Sequence, residues 1–182
     1  MIHATLHFSI YVLVFLREIH VMDEVLKVLA NLGIHYDRYD HQAFFTCDDG
    51  RDFMAAHPGG HCKNLFLRNK KGTQHYLVIV PEYKRLDLLR LGEFLGESQM
   101  SFASAARLQK YLQVTPGSVS PFGLIYDQER HVKVLIDGDL WQQDPLYFHP
   151  NSNTTTLMVS RSAMTLFFDS LGVLWQIVNL PV

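Results

Sequence analysis

The sequence predicts an α+β domain, in which hairpin strands form a sheet and separate helices pack around it. Two observations point there. Asn64–Arg68 and His75–Val80 are rich in β-favouring residues and flank Asn69-Lys70-Lys71-Gly72, which reads as a hairpin with a longer loop. Asp23–Leu32 and Arg161–Leu171 carry helical periodicity and are followed by Gly33 and Gly172.

The remaining elements follow in order. In Asp23–Leu32 the apolar residues fall at 25, 26, 28, 29, 30 and 32, one face of a helix. Ala43-Phe44-Phe45 reads as a short strand. Thr46 followed by Asp49 has the form of a capping pair and predicts a helix through about Ala56. His57-Pro58-Gly59-Gly60 must be a loop, because Pro and Gly stop the helix. Leu86–Leu95 and Ala103–Leu112 have helical periodicity. Leu124–Tyr126 and Val132–Ile136 flank Asp127-Gln128-Glu129-Arg130 and read as a second hairpin. Thr155–Val159 is a further strand, and Ser160 can cap the last helix. No repeat, low-complexity tract or linker divides the chain.

Composition narrows the classes. The 182 residues suit one domain, and 48% apolar with 19% charged residues describe a folded chain. A net charge of −2 argues against coating long nucleic acid by bulk charge, while leaving room for a local basic patch. Two cysteines, Cys47 and Cys62, are too few for a disulfide framework and suit a reducing cytoplasm. The uncharged run Phe8–Leu16 falls short of the ~20 residues a membrane span needs and lacks the basic start of a signal peptide. Residues 1–21 are read as an extension, either packed on the domain or reflecting an upstream start, and residues 22–182 as the domain itself.

Three islands carry candidate chemistry. Lys63-Asn64 opens the apolar run Leu65-Phe66-Leu67. In a strand Lys63 shares a face with Leu65 and Leu67, which puts an ammonium at the rim of an apolar surface. A solvated lysine at a strand end gives the same pattern. Gly117-Ser118-Val119-Ser120-Pro121 is a Gly-x-x-x-Pro loop, where glycine permits close backbone approach and proline fixes the exit. His149 sits between Phe148 and Pro150, and Asn151 and Asn153 follow.

Other chemistries fit less well. His57, His61 and Cys62 are candidate metal ligands, but Pro58-Gly59-Gly60 breaks the helical spacing and no second Cys pair accompanies them. Cys62 beside Lys63 is a candidate nucleophile. A Ser-His-Asp triad has no Gly-x-Ser-x-Gly elbow to support it.

Taken in order, Lys63-Asn64-Leu65-Phe66-Leu67-Arg68, Pro116–Leu124 and Tyr147–Thr155 resemble the trans-editing deacylases of the YbaK/prolyl-tRNA synthetase editing-domain family. The similarity runs from about Met22 to about Trp175 and is greatest to the branch that hydrolyses alanine from mischarged proline tRNA. It implies a curved, mixed and largely antiparallel sheet surrounded by helices. It implies Lys63 and His149 as the catalytic residues, with Asn64, Gly117, Ser118 and Pro121 binding substrate. The family's reaction leans on the substrate's own 2′-hydroxyl, with no metal and no cofactor. The implied partners are the 3′ end of mischarged proline tRNA and prolyl-tRNA synthetase. Leu65, Leu67 and Phe122 are candidates for the amino-acid pocket. Lys70, Lys71, Lys84, Arg85 and Arg107 are candidates for the acceptor stem, although surface lysines and arginines usually only solubilise. Two alternatives remain open: a deacylase for cysteine or serine, and a non-catalytic tRNA- or synthetase-binding module.

Overall fold

The computed structural model describes residues 20–44, 46 and 48–181. The Phe8–Leu16 run, most of the expected extension, Phe45 and Cys47 lie outside the described residues. The chain opens with α1 (20–31), β1 (Tyr36–Asp40) and α2 (Arg51–Ala56). The hairpin β2 (Cys62–Asn69) and β3 (His75–Pro81) follows, then α3 (Leu88–Leu95), β4 (Met100–Phe102) and α4 (Ala105–Tyr111). A 3-10 segment (Pro121–Tyr126) leads into β5 (Val132–Asp137) and α5 (Gly138–Trp141). The chain closes with β6 (Leu146–Phe148), β7 (Thr155–Val159), α6 (Arg161–Leu171) and β8 (Trp175–Val178).

The strands form two sheets. One has the order β4-β2-β3-β5-β8, the other β1-β7-β6. The first is mixed: β2 is antiparallel to β3 and β4, while β5 is parallel to both β3 and β8. The second is antiparallel throughout. β3 is the central strand, and all of His75–Pro81 is buried, as an uninterrupted apolar run covered on both faces requires.

The pleat divides the core in two. Phe66, Leu77, Ile79, Val134 and Ile136 face one cluster, with Leu29, Phe122, Phe148, Leu157 and Phe167 opposite. Leu67, Tyr76, Val78, Val80 and Leu135 face the other, beneath Leu91 of α3. The expected shared face of residues 63, 65 and 67 is present, since Leu65 and Leu67 belong to the same cluster.

Several sequence expectations hold. α1 ends before Gly33, and α6 starts at its Ser160 cap, whose side chain accepts from the Ala163 amide, and ends at Gly172. The first hairpin and Thr155–Val159 are as expected. Three expectations are corrected. Residues 43 and 44 form no strand; Phe44 donates only one backbone bond, to Asn153. Thr46 does bond the Asp49 carboxylate, but that pair closes a turn and α2 begins only at Arg51. The second hairpin does not exist. Pro121–Tyr126 is a 3-10 segment capped by Ser120, so β5 has no antiparallel neighbour there and pairs in parallel with β3.

The two sheets share one core and are tied by backbone at the 57–60 loop. Gly60 donates to the Pro145 carbonyl at 2.8 Å, and the Tyr147 amide donates to Gly60 at 3.0 Å. This parallel bridge needs close approach. A methyl group on Gly59 would lie 2.7 Å from the Pro145 carbonyl oxygen and 2.8 Å from the Tyr147 ring, at φ +149°, where side chains are strained. Gly59→Ala is therefore expected to destabilise the fold by about 2–4 kcal/mol, combining overlap with strain. The urea midpoint measures it; an unchanged midpoint would show that the sheets do not depend on this contact.

Candidate active site

The bridge at Gly60 brings the chain entering β2 against the start of β6, and a cavity of about 390 Å³ opens beside it. That volume falls within the range of small-ligand sites, ~300–1,000 Å³. Lys63, Asn64, Gly117 and His149 all line it, so residues from all three sequence islands converge on one space. Ser118 and Pro121 do not line it. Both are buried, Ser118 with its amide on the Thr115 carbonyl and Pro121 as the first residue of the 3-10 segment.

Lys63 reaches back along the turn after β3, where its ammonium donates to the Lys84 carbonyl at 2.6 Å. Among the described residues it has no carboxylate within 4 Å, so its charge is held by a neutral acceptor. Asn64 shares the site with Cys62, whose thiol reaches the Asn64 Oδ1 at 3.7 Å and the Tyr147 carbonyl at 3.6 Å. Gly117 has φ +92° and open space where a side chain would project, so a larger residue would be strained and would fill space beside the cavity.

His149 is fixed from its main chain. The Ser120 hydroxyl donates to the His149 carbonyl at 2.6 Å while accepting the Phe122 amide. Fully buried Ser120 thus joins the glycine loop to the end of β6, a role that sequence patterning does not reveal. Burial pushes the His149 imidazole down to about 4, against a hydrogen bond to the Val119 backbone that pulls it up, and the nearby His41 adds to the lowering. The ring is neutral near pH 7, and its Nδ1 has no partner among the described residues. A neutral imidazole in a cavity can accept or relay a proton, or orient a water.

The wall that the sequence does not reveal is aromatic. Phe44, Phe53 and Tyr147 line the cavity. Each ring stacks on a histidine: His41 on Phe44 at 3.8 Å, His57 on Phe53 at 4.2 Å and His61, itself part of the lining, on Tyr147 at 4.4 Å. The disfavoured metal alternative meets this arrangement directly. His57 Nδ1 bonds the Phe53 carbonyl at 2.8 Å and His61 Nε2 the His57 carbonyl at 2.6 Å. Among the described residues no three His, Cys, Asp or Glu side chains are grouped to hold a metal.

Of the apolar pocket candidates only Leu65 lines the cavity. Leu67 and Phe122 are fully buried in the two core clusters, because the sheet is covered on both faces. The basic candidates also separate. Lys84 is only 16% exposed and is committed to Asp137 and Asp139, each at 2.8 Å. Arg107 donates to Gly72 and His75. Lys70 and Lys71 are exposed at the far end of the hairpin, about 23 Å from Lys63 by strand rise. Arg85 is exposed one residue from Lys84.

Comparison with known proteins identifies the family. The model of the aminoacyl-tRNA editing domain matches residues 41–165, which include all three islands. The chain belongs to the aminoacyl-tRNA editing domain family. It is 38% identical over 136 residues to the prolyl-tRNA editing protein ProX of Acetoanaerobium sticklandii, covering 75% of this chain and 83% of that one. It is 29% identical over 153 residues to the prolyl-tRNA synthetase associated domain-containing protein 1 of Mus musculus, covering 82% and 90%. A solved structure described as a candidate trans-editing enzyme for prolyl tRNA synthetase superposes with TM-score 0.68 at 20% identity, covering 89% of this chain and 97% of that chain, and bears out the fold. Membership of this editing family makes the chain an aminoacyl-tRNA deacylase, an ester hydrolase.

The buried histidines set a pH dependence. His75 is also pushed down to about 4, first by burial and then by the Arg107 guanidinium donating to its Nε2 and by His131. A folded value below the unfolded ~6.5 means the unfolded chain binds protons more readily, so stability is complete above about pH 6.5 and is lost as pH falls through about 4. The loss scales as roughly 3 kcal/mol per histidine. Urea unfolding at pH 7.5 and 4.5 should show it, with His75→Gln reducing the difference. Equal stability of the wild type at both pH values would contradict the burial of these rings as neutral groups.

Proposed function

We propose that the chain removes alanine from mischarged proline tRNA in trans, acting on the ester at the tRNA 3′ end in the cytoplasm, with prolyl-tRNA synthetase as a further partner. The observation that carries the reading is the convergence of Lys63, Asn64, Gly117 and His149 on one cavity, in a chain similar to a prolyl-tRNA editing protein. Among the described residues no helix is long and apolar enough to cross a membrane, in keeping with work on tRNA.

An aminoacyl ester is already activated by its neighbouring ribose hydroxyl. The protein needs chiefly to orient it and stabilise developing charge. The Lys63 ammonium, with hydrogens left beyond the one given to Lys84, meets the terminal phosphate or ribose. The backbone around Gly117 lies against the terminal nucleoside. Asn64 holds the aminoacyl group. His149, neutral and anchored through its carbonyl, positions the substrate's 2′-hydroxyl or a water. Ser118 and Pro121 act from behind, by shaping the loop.

Selection against proline follows from the wall. The whole cavity exceeds one aminoacyl group, so rejection is local. The Phe44, Phe53 and Tyr147 rings are interlocked with their histidines and yield little to a pyrrolidine ring. An added hydroxyl is rejected only modestly, by about a hundredfold.

Two outcomes are expected. On one proline tRNA, the alanine ester should be hydrolysed fastest, the serine ester more slowly and the proline ester least. Proline cleaved as fast as alanine would refute the editing reading, cysteine clearly preferred would move the substrate to cysteine, and no turnover of any ester would leave a binding module. Lys63→Ala should lower kcat/KM about 30- to 1000-fold, while circular dichroism stays unchanged. That range corresponds to ~2–4 kcal/mol, the worth of one charged group to the transition state. Near-wild-type turnover would remove Lys63 from the site.

A further inference from the structure

Lys63 is oriented by a carbonyl whose own position is set elsewhere. Lys63 pairs with Val80 at the end of the β2–β3 ladder, and the chain then turns through Glu82 and Tyr83. That turn is held by the Lys84 amide on the Pro81 carbonyl at 3.0 Å and the Glu82 amide on the His61 carbonyl at 3.1 Å. It brings the Lys84 carbonyl to 2.6 Å from the Lys63 Nζ. The Lys84 side chain makes a separate contact. It crosses to the end of β5, where its Nζ lies 2.8 Å from Asp137 Oδ1 and 2.8 Å from Asp139 Oδ2. Asp137 is fully buried and also accepts the Asp139 amide, which caps α5. Its Oδ2 has no partner among the described residues, so Lys84 is the cation that balances a buried carboxylate. Such a pair is costly to break from one side. Lys84 is thereby fixed at both ends, by the turn and by the ion pair.

We propose that Lys84, anchored by Asp137 and Asp139, is a positioning residue for Lys63: the buried ion pair fixes the carbonyl that aims the Lys63 ammonium into the cavity. The argument rests on the role given to Lys63 above. Lys84 itself does not line the cavity, so it acts through Lys63 and not on substrate. The exposed Asp139 contributes less than Asp137, because its charge is solvated without the pair.

The test is a double-mutant cycle. Removing Lys84 alone would strand the Asp137 charge, so the variant is Lys84→Met with Asp137→Asn, which removes both charges together. It should lower kcat/KM for the alanine ester about 10- to 100-fold, the scale of a misplaced catalytic group. In a Lys63→Ala background the same pair of changes should cost less than about threefold, because its target is gone. Lys84→Arg, which keeps the ion pair, should recover most of the activity. Equal losses in both backgrounds, or no loss in either, would overturn the proposal. A second readout needs no turnover: the Lys63 ammonium resonance should show about tenfold faster hydrogen exchange in the paired variant and faster exchange, by a smaller factor, in Asp139→Asn. Exchange unchanged in both would overturn it as well. If the wild type hydrolyses no ester, the function fails while the exchange measurement still decides the role of Lys84.

Discussion

The backbone bridge between Gly60 and Leu146 is the contact on which the site depends. The three-stranded and five-stranded sheets carry different parts of the candidate site. Lys63 and Asn64 lie on β2 of one, and Tyr147, Phe148 and the following His149 belong to the other. Only a glycine pair lets the 57–60 loop lie against β6 closely enough for two backbone hydrogen bonds to join them. The cavity is the space left beside that seam.

Electrostatics then distinguish the two lysines and the histidine around the cavity. Lys63 is charged and held by a carbonyl, so its charge is not cancelled locally. Lys84 is equally cationic but neutralised. Burial disfavours its charge, and the two carboxylates outweigh that effect and raise its affinity for the proton. In the function proposed above, one lysine is left for substrate while the other is committed to an ion pair. His149 supplies a neutral ring where a charged one would be disfavoured by burial. A neutral imidazole beside an ammonium is consistent with the proposed reaction, in which orientation of an activated ester is the main requirement.

Much of this is legible in the sequence because it is local. The Ser160 cap and Gly172 bound α6, and the run beginning at Lys63-Asn64 is a strand whose Leu65 and Leu67 join one core cluster while Phe66 joins the other. The order of three islands points to the family, and the fold brings them to one cavity. What the sequence hides is non-local. Periodicity does not encode a strand's partner, so β5 reads as half of a hairpin when it pairs in parallel with β3 and β8. An apolar residue at a strand or loop reads alike whether it lines a pocket or fills a core, and Leu67 and Phe122 fill cores. A lysine reads as a surface charge unless its carboxylate is known, and Asp137 lies fifty-three positions beyond Lys84. The aromatic wall is drawn from the 44–53 segment and β6, distant in sequence, and only the fold assembles it. His57 and His61, which stack on it, resemble metal ligands because their carbonyl partners are invisible in a sequence.

The most direct test of the central claim is to locate the substrate end. A non-hydrolysable amide of alanine on the 3′ position of adenosine, titrated into isotopically labelled protein, should shift the Lys63, Asn64, Gly117 and His149 resonances together and leave the Lys70–Gly72 turn unmoved. Saturable shifts confined to that cavity are the result the account predicts. Shifts centred elsewhere, or none at concentrations where the intact mischarged tRNA is hydrolysed, would contradict it.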